Sequence, residues 1–290
     1  MNYIHPRINI QEIAEACSKG TDNKIITSLE QIPPSKVTGI IESVKHDILN
    51  SPLLTLNIAK RFIHAQIRKR TNGHHRTIPD PTHPAFLVMP GYFGPNDYLR
   101  PLLKVIQRIT GWEVINLPEF DKIRPRGRIK RDTETFMKTL RERKAPTIGL
   151  GHSKAGKIRP EVKKQLREEG LEHIMPGSIL IAPVSNGIRP EADLIARFIP
   201  SKTIQEMRAK NAPDHHTEEP DEDLLIITPE NGDIFTSPEE SFVNGCTMIL
   251  TQGHEGHLQQ CIDPRTIIFQ TAVNAAVIMA EQIDALKIAA

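Results

Sequence analysis

Aromatic side chains are scarce. Nine Phe, three Tyr and one Trp amount to 4% of 290 residues, so a core of any size must be built from aliphatic side chains. Cysteine is scarcer still. Cys17, Cys246 and Cys261 are odd in number and have no metal-like spacing, which excludes a disulfide framework and a zinc ribbon and reads as three reduced thiols. No charge of one sign dominates: the formal net charge is +2, which gives no reason to expect a specific nucleic-acid partner. No apolar run approaches the length of a membrane span, and the N-terminus lacks a basic-then-apolar leader pattern. The expectation is a cytoplasmic protein without a transmembrane segment. Internal repeats and low-complexity stretches are also missing.

What is there divides at about residue 80. Ile10 to Ala16, Ile40 to Ile48 and Leu54 to Ile67 place apolar residues at helical spacing, punctuated by Pro33-Pro34 and Pro52. Residues 1–80 therefore read as a helical N-terminal segment that packs on the domain C-terminal to it. Its end is basic (Lys60, Arg61, Arg68, Lys69, Arg70, Arg76), which reads as a solvated helix face before a binding patch. The link Thr77-Ile-Pro-Asp-Pro-Thr-His-Pro84 marks the boundary. From residue 81 to 290 strand and helix patterns alternate. Strands are expected at 85–89, 113–117, 147–150, 178–182, 224–228 and 247–251. Helices fall at 97–110, 132–144 and 264–286. That alternation predicts an α/β domain with a mostly parallel sheet of about six strands flanked by helices. No antiparallel strands are expected before Ala85. Pro160, early in the helix after residue 153, predicts a kink or a restart.

The stretch Thr147-Ile-Gly-Leu-Gly-His-Ser153-Lys-Ala-Gly156 runs a β-prone segment into a tight turn and then a helix. A serine on such a turn is lifted out of the sheet, and small residues at Gly151, Ala155 and Gly156 let the turn close. The N–H groups at the helix start point at whatever the serine attacks. Here the sequence resembles the α/β-hydrolase superfamily, in its lipase and esterase branch. Gly151-His152-Ser153-Lys154-Ala155 stands where that family has Gly-x-Ser-x-Gly, with Ala155 in place of the last Gly.

The resemblance implies a chain order of Ser, acid, His. Asp233 lies in the turn Glu230-Asn-Gly-Asp233 after the strand at 224–228. His254 lies in the loop Gly253-His-Glu-Gly-His257 after the strand at 247–251. By the family pattern Ser153 is the nucleophile, His254 the base and Asp233 the acid. His257 is the rival base, while Asp221 and Asp223 are rival acids at the wrong end of their strand. His152 is expected to be structural. Pro90-Gly-Tyr92-Phe-Gly94 follows the strand at 85–89, and the resemblance makes the N–H groups of Tyr92 and Lys154 the oxyanion donors. No metal and no cofactor is implied.

The activity implied is hydrolysis of a carboxylic ester, with a small-molecule or lipid acyl ester as substrate. A thioesterase or acyltransferase with the same triad, or a non-catalytic binding protein on the same scaffold, are the alternatives. Residues 188–222, with helical patterns at 192–198 and 202–210, read as a small lid or a plain crossover. His74-His75 and His215-His216 are adjacent pairs that point apart in an extended chain, so they read as surface loop. The loop after 113–117 carries Lys122, Arg124, Arg126, Arg128, Lys130 and Arg131 with no acid among them. With Lys154 and Lys157 it would form a basic rim, and Arg124, Arg126 and Arg128 are candidate contacts for an anionic part of the substrate. The sequence leaves oligomeric state open.

Overall fold

The computed structural model of the chain describes residues 8–34, 80–89, 91, 96–117, 129–196, 202–208, 219–253, 255–257 and 259–288. Its short apolar runs form one sheet of β1 (Lys24–Ile26), β2 (Ala85–Met89), β3 (Glu113–Ile115), β4 (Thr147–His152), β5 (Gly177–Ile181), β6 (Leu224–Pro229) and β7 (Thr247–Thr251). The spatial order is β1-β7-β6-β5-β4-β2-β3. All neighbours are parallel except β1, which runs antiparallel to β7. Strands β2, β4, β5, β6 and β7 are buried at every position, so they read as continuous apolar runs and not as alternation.

The helices supply the two covers. On one face lie α1 (Ile10–Ser18), α2 (Arg100–Thr110) and α9 (Ile267–Ile288), which bring Ile13, Leu102, Ile106 and Met279 against the sheet. On the other lie α3 (Ile129–Arg141) and α4 (Ala155–Glu168), with Phe136, Leu140, Ile158 and Val162. The core is mainly aliphatic, as the shortage of aromatics requires. Among the described residues, four short helices sit between these elements: α5 (Pro190–Ala196), α6 (Lys202–Met207), α7 (Pro238–Ser241) and α8 (Gln259–Ile262).

Three expectations change. The sheet has a seventh strand, because Lys24–Ile26 pairs with β7 through Ile25 opposite Ile249; three residues are too few to show a period in the sequence. Helix α4 does not restart at Pro160, which sits inside it at the cost of one backbone bond. Helix α9 begins at Ile267, three residues after Pro264. The helical patterns at Ile40–Ile48 and Leu54–Ile67 and the basic residues Lys60 to Arg76 lie outside the described residues. No helix among the described residues is long and apolar enough to cross a membrane.

The topology sets where chemistry can happen. After β2 the chain moves outward to β3, then returns to place β4 on the other side of β2. That reversal falls at the C-terminal ends of β2 and β4, the usual ligand position in a parallel sheet. Ser153 follows β4 directly, and Gly91 lies two residues beyond β2.

Candidate active site

The elbow is built by close approach. Ser153 has φ 55°, a left-handed conformation that a side-chain-bearing residue adopts only under constraint. Its main chain is clamped on both sides: its N–H donates to the Ile181 carbonyl at 3.1 Å, and its carbonyl accepts from Val184 N–H at 2.8 Å. Gly151 is dictated by space, since a Cβ there would stand 2.4 Å from the Cβ of Ala155 and 3.0 Å from Leu180. The methyl of Ala155 is thus tolerated where the family pattern has Gly because Gly151 opposite has none.

Lys154 is the N-terminal cap of α4, and its side chain is buried. Its Nζ donates to Asp132 Oδ2 at 2.6 Å, in the first turn of α3. Lys157 is also buried, and its Nζ donates to the carbonyl of Ser185. Both ammonium groups are turned into the protein, so the expected contribution of Lys154 and Lys157 to a basic rim is withdrawn. Arg124, Arg126 and Arg128, with Lys122, lie outside the described residues, as does the oxyanion candidate Tyr92.

Asp233 is fully buried in the turn after β6. Its Oδ1 accepts from the N–H groups of Phe235 at 2.8 Å and Thr236 at 3.0 Å. Its Oδ2 accepts from His257 Nδ1 at 2.6 Å and from Gln260 Nε2, on α8, at 3.3 Å. Burial raises the carboxyl, but the charge and hydrogen bond of His257 and the two N–H groups outweigh it and hold the group below its ordinary value. The amide of Gln260 is oriented by this contact, because the flipped amide would set an oxygen against the carboxylate.

The imidazole that Asp233 holds is therefore that of His257. His254, the base expected from the Gly253-His254 loop pattern, lies outside the described residues. His257 is buried, with its Nε2 lacking a hydrogen-bond partner among the described residues. Its ring centroid lies 4.3 Å from that of His152, the residue before Ser153, and 4.9 Å from Phe235, which meets it edge-on. The acid–imidazole pair and the serine elbow are thus neighbours.

His152 backs this arrangement. Its Nδ1 is 3.0 Å from the hydroxyl of buried Tyr98. Burial, and then the nearby His257, push the His152 imidazole well below its ordinary range against an opposing pull from Asp233, so the ring is neutral. Burial also keeps Tyr98 a phenol, which can donate to Nδ1. Tyr98 also reaches Gly91, just beyond β2: a Cβ there would fall 2.0 Å from its hydroxyl. The sequence singles out neither Tyr98 nor Gln260, since both act through contacts distant in the chain.

The rival acids are accounted for. Asp221 accepts from buried Arg159 at 3.0 Å and from Lys163 at 2.8 Å, and Asp223 accepts from Lys163 at 2.7 Å. This cluster sits at the start of β6, the opposite end of that strand from Asp233. His74-His75 and His215-His216 lie outside the described residues.

No protein-family model matches the chain, and no curated protein matches it. Solved structures do. Carboxyl esterase 2 of the mycorrhizal fungus Tuber melanosporum aligns with a TM-score of 0.50 at 12% identity, over 71% of this chain and 80% of that one. An esterase from Rhizomucor miehei gives 0.49 at 13% identity, over 73% and 78%. Mature lipase BlEst2 from Bacillus licheniformis gives 0.47 at 14%, over 67% and 93%. At such identity the likeness speaks to architecture alone. The chain has the α/β-hydrolase fold.

Proposed function

We propose that the protein is a serine hydrolase that cleaves a carboxylic ester through Ser153, His257 and Asp233. The observation that carries the reading is the buried Asp233–His257 pair at 2.6 Å, with Nε2 of His257 unpartnered among the described residues and its ring 4.3 Å from the ring that precedes Ser153. A buried carboxylate on Nδ1 fixes the tautomer that leaves Nε2 ready to accept a proton. In this reading Ser153 Oγ attacks the acyl carbon as its proton passes to Nε2. The oxyanion is met by the N–H of Lys154 at the head of α4, and Tyr92 is the proposed second donor. The C–O bond to the alcohol then breaks, the leaving oxygen takes the proton from His257, and water repeats the sequence on the acyl-enzyme.

The choice of His257 over His254 rests on the partner that Asp233 holds. The carboxyl esterase of Tuber melanosporum, which shares the fold, agrees with ester cleavage as the reaction class. The test is labelling of the purified protein with a fluorophosphonate, followed by a p-nitrophenyl ester series. The expected result is one labelled serine, loss of label in Ser153→Ala, and turnover in the wild type only. A Ser153→Ala protein that still labels moves the nucleophile elsewhere, and a wild type inert to both reagents favours a non-catalytic scaffold.

A further inference from the structure

We propose that Arg189 is a positioning residue that fixes the turn carrying Asp233 and ties it to the α5–α6 segment; this rests on the serine-hydrolase reading. The side chain of Arg189 is 1% exposed, and a guanidinium that deeply buried is costly unless its donors are well used. They are used on the acid turn. Nη1 donates to the main-chain carbonyl of Asp233 at 3.0 Å, and the Arg189 N–H donates to the carbonyl of Phe235 at 2.9 Å. One residue therefore grips both ends of the Asp233–Phe235 turn. That turn, with Thr236 after it, also supplies the N–H groups on Asp233 Oδ1 and the aromatic ring against His257.

The other side of Arg189 faces the segment after β5. Its Nε donates to Glu191 Oε2 at 3.0 Å, in the first turn of α5. The preceding residue, Ile188, donates its N–H to the Met207 carbonyl at 2.8 Å and forms an isolated bridge with Arg208. Arg208 in turn makes a bidentate pair with Asp193 of α5, at 2.6 and 2.9 Å. Val184, Ile188, Ile204 and Met207 form a small apolar cluster apart from the two main cores. The α5–α6 segment is thus locked to itself, and Arg189 joins it to the acid. A shift of that segment pulls on the Asp233 carbonyl and changes the aim of the carboxylate at Nδ1. A misplacement of an ångström near the chemistry costs on the order of a hundredfold in rate.

The experiment measures the rate of fluorophosphonate labelling of Ser153 across pH, which needs no natural substrate, with the thermal midpoint recorded alongside. Arg189→Met should label at least about tenfold slower than wild type, with the acid limb of its pH profile displaced. Arg189→Lys, which keeps the charge but cannot reach both Asp233 and Glu191 with one ammonium, should label faster than Arg189→Met and slower than wild type. A folded Arg189→Met with wild-type rate and profile, having lost only thermal stability, would overturn the positioning role. Should that variant fail to fold, Glu191→Gln carries the test, because Glu191 is 42% exposed and its loss leaves the core intact. More than about twofold slower labelling supports the tie, and the wild-type rate overturns it. A wild-type protein that does not label at all counts against the serine-hydrolase reading itself, a different outcome from either.

Discussion

Ser153 holds a backbone conformation that costs about 1–3 kcal/mol, and the clamps from Ile181 and Val184 are what sustain it. Strain of this kind, one residue from a neutral buried imidazole and beside an acid–imidazole pair, marks the place where the chain gives up stability for geometry. The position of Asp233 is legible in the sequence because a turn directly after a buried strand delivers it past the C-terminal end of that strand. The base is not. Two histidines three residues apart share one loop, and only the path of that loop decides which of them meets the carboxylate; local pattern favours Gly253-His254, whereas the carboxylate meets His257. His257→Ala is expected to lower kcat for an activated ester by about 10⁴-fold or more, and Asp233→Asn by about 10⁴-fold, because the amide leaves the wrong tautomer facing Ser153. His254→Ala should stay within about tenfold of wild type. Steady-state kinetics on the three purified variants checks this, and a dead His254→Ala beside an active His257→Ala would reverse the assignment.

At the scale of elements, the strand–turn–helix unit from Thr147 to Glu168 works by omission of side chains. Strand β4 and helix α4 meet at Gly151 and Ala155, where there is room for one methyl and not two. Gly151→Ala adds the second methyl and also crowds Leu180 and Met89, at 3.0 and 3.1 Å. Overpacking of this kind should destabilise the protein by about 1–3 kcal/mol and slow serine labelling, since the elbow must open to relieve it. Restoring space from the other side, in Gly151→Ala/Ala155→Gly, should recover part of the loss. A chemical-denaturation double-mutant cycle reads the coupling, and strict additivity would mean that the two residues do not compete. The long parallel strands are plain in the sequence because burial on both faces leaves uninterrupted apolar runs. Strand β1 is not, because its identity as a strand comes from pairing with β7, a partner more than two hundred residues away.

At the scale of the whole molecule, the loop that carries His257 is tied to the longest described helix by a carboxylate. Glu255 accepts from the N–H of Ile267 at 2.6 Å and of Ile268 at 3.3 Å, capping the start of α9, whose apolar residues run along one face of the sheet. Burial drives its carboxyl up from an ordinary 4.5 to about 7, against the lowering effect of those two N–H groups and with a further push from Asp263. The sign of the consequence is fixed by linkage. A carboxyl whose folded value lies above its unfolded one holds its proton more tightly in the folded state, so its contribution to stability is present at low pH and fades as pH rises from about 4.5 to about 7. Asp233 acts in the opposite sense, since its lowered value gives stability above the ordinary carboxylate range that is lost only in acid. The two carboxyls therefore titrate over different parts of the pH axis, and between weakly acidic and neutral pH it is Glu255 that governs. Replacing it with glutamine removes the titration and keeps an oxygen for one N–H. Relative to Glu255→Gln, the wild type should lose up to about 3 kcal/mol of stability between about pH 4.5 and 7.5. Urea denaturation of both proteins across that range reads the difference directly. Parallel pH curves would show that Glu255 does not titrate there, and that the cap on α9 stays charged throughout.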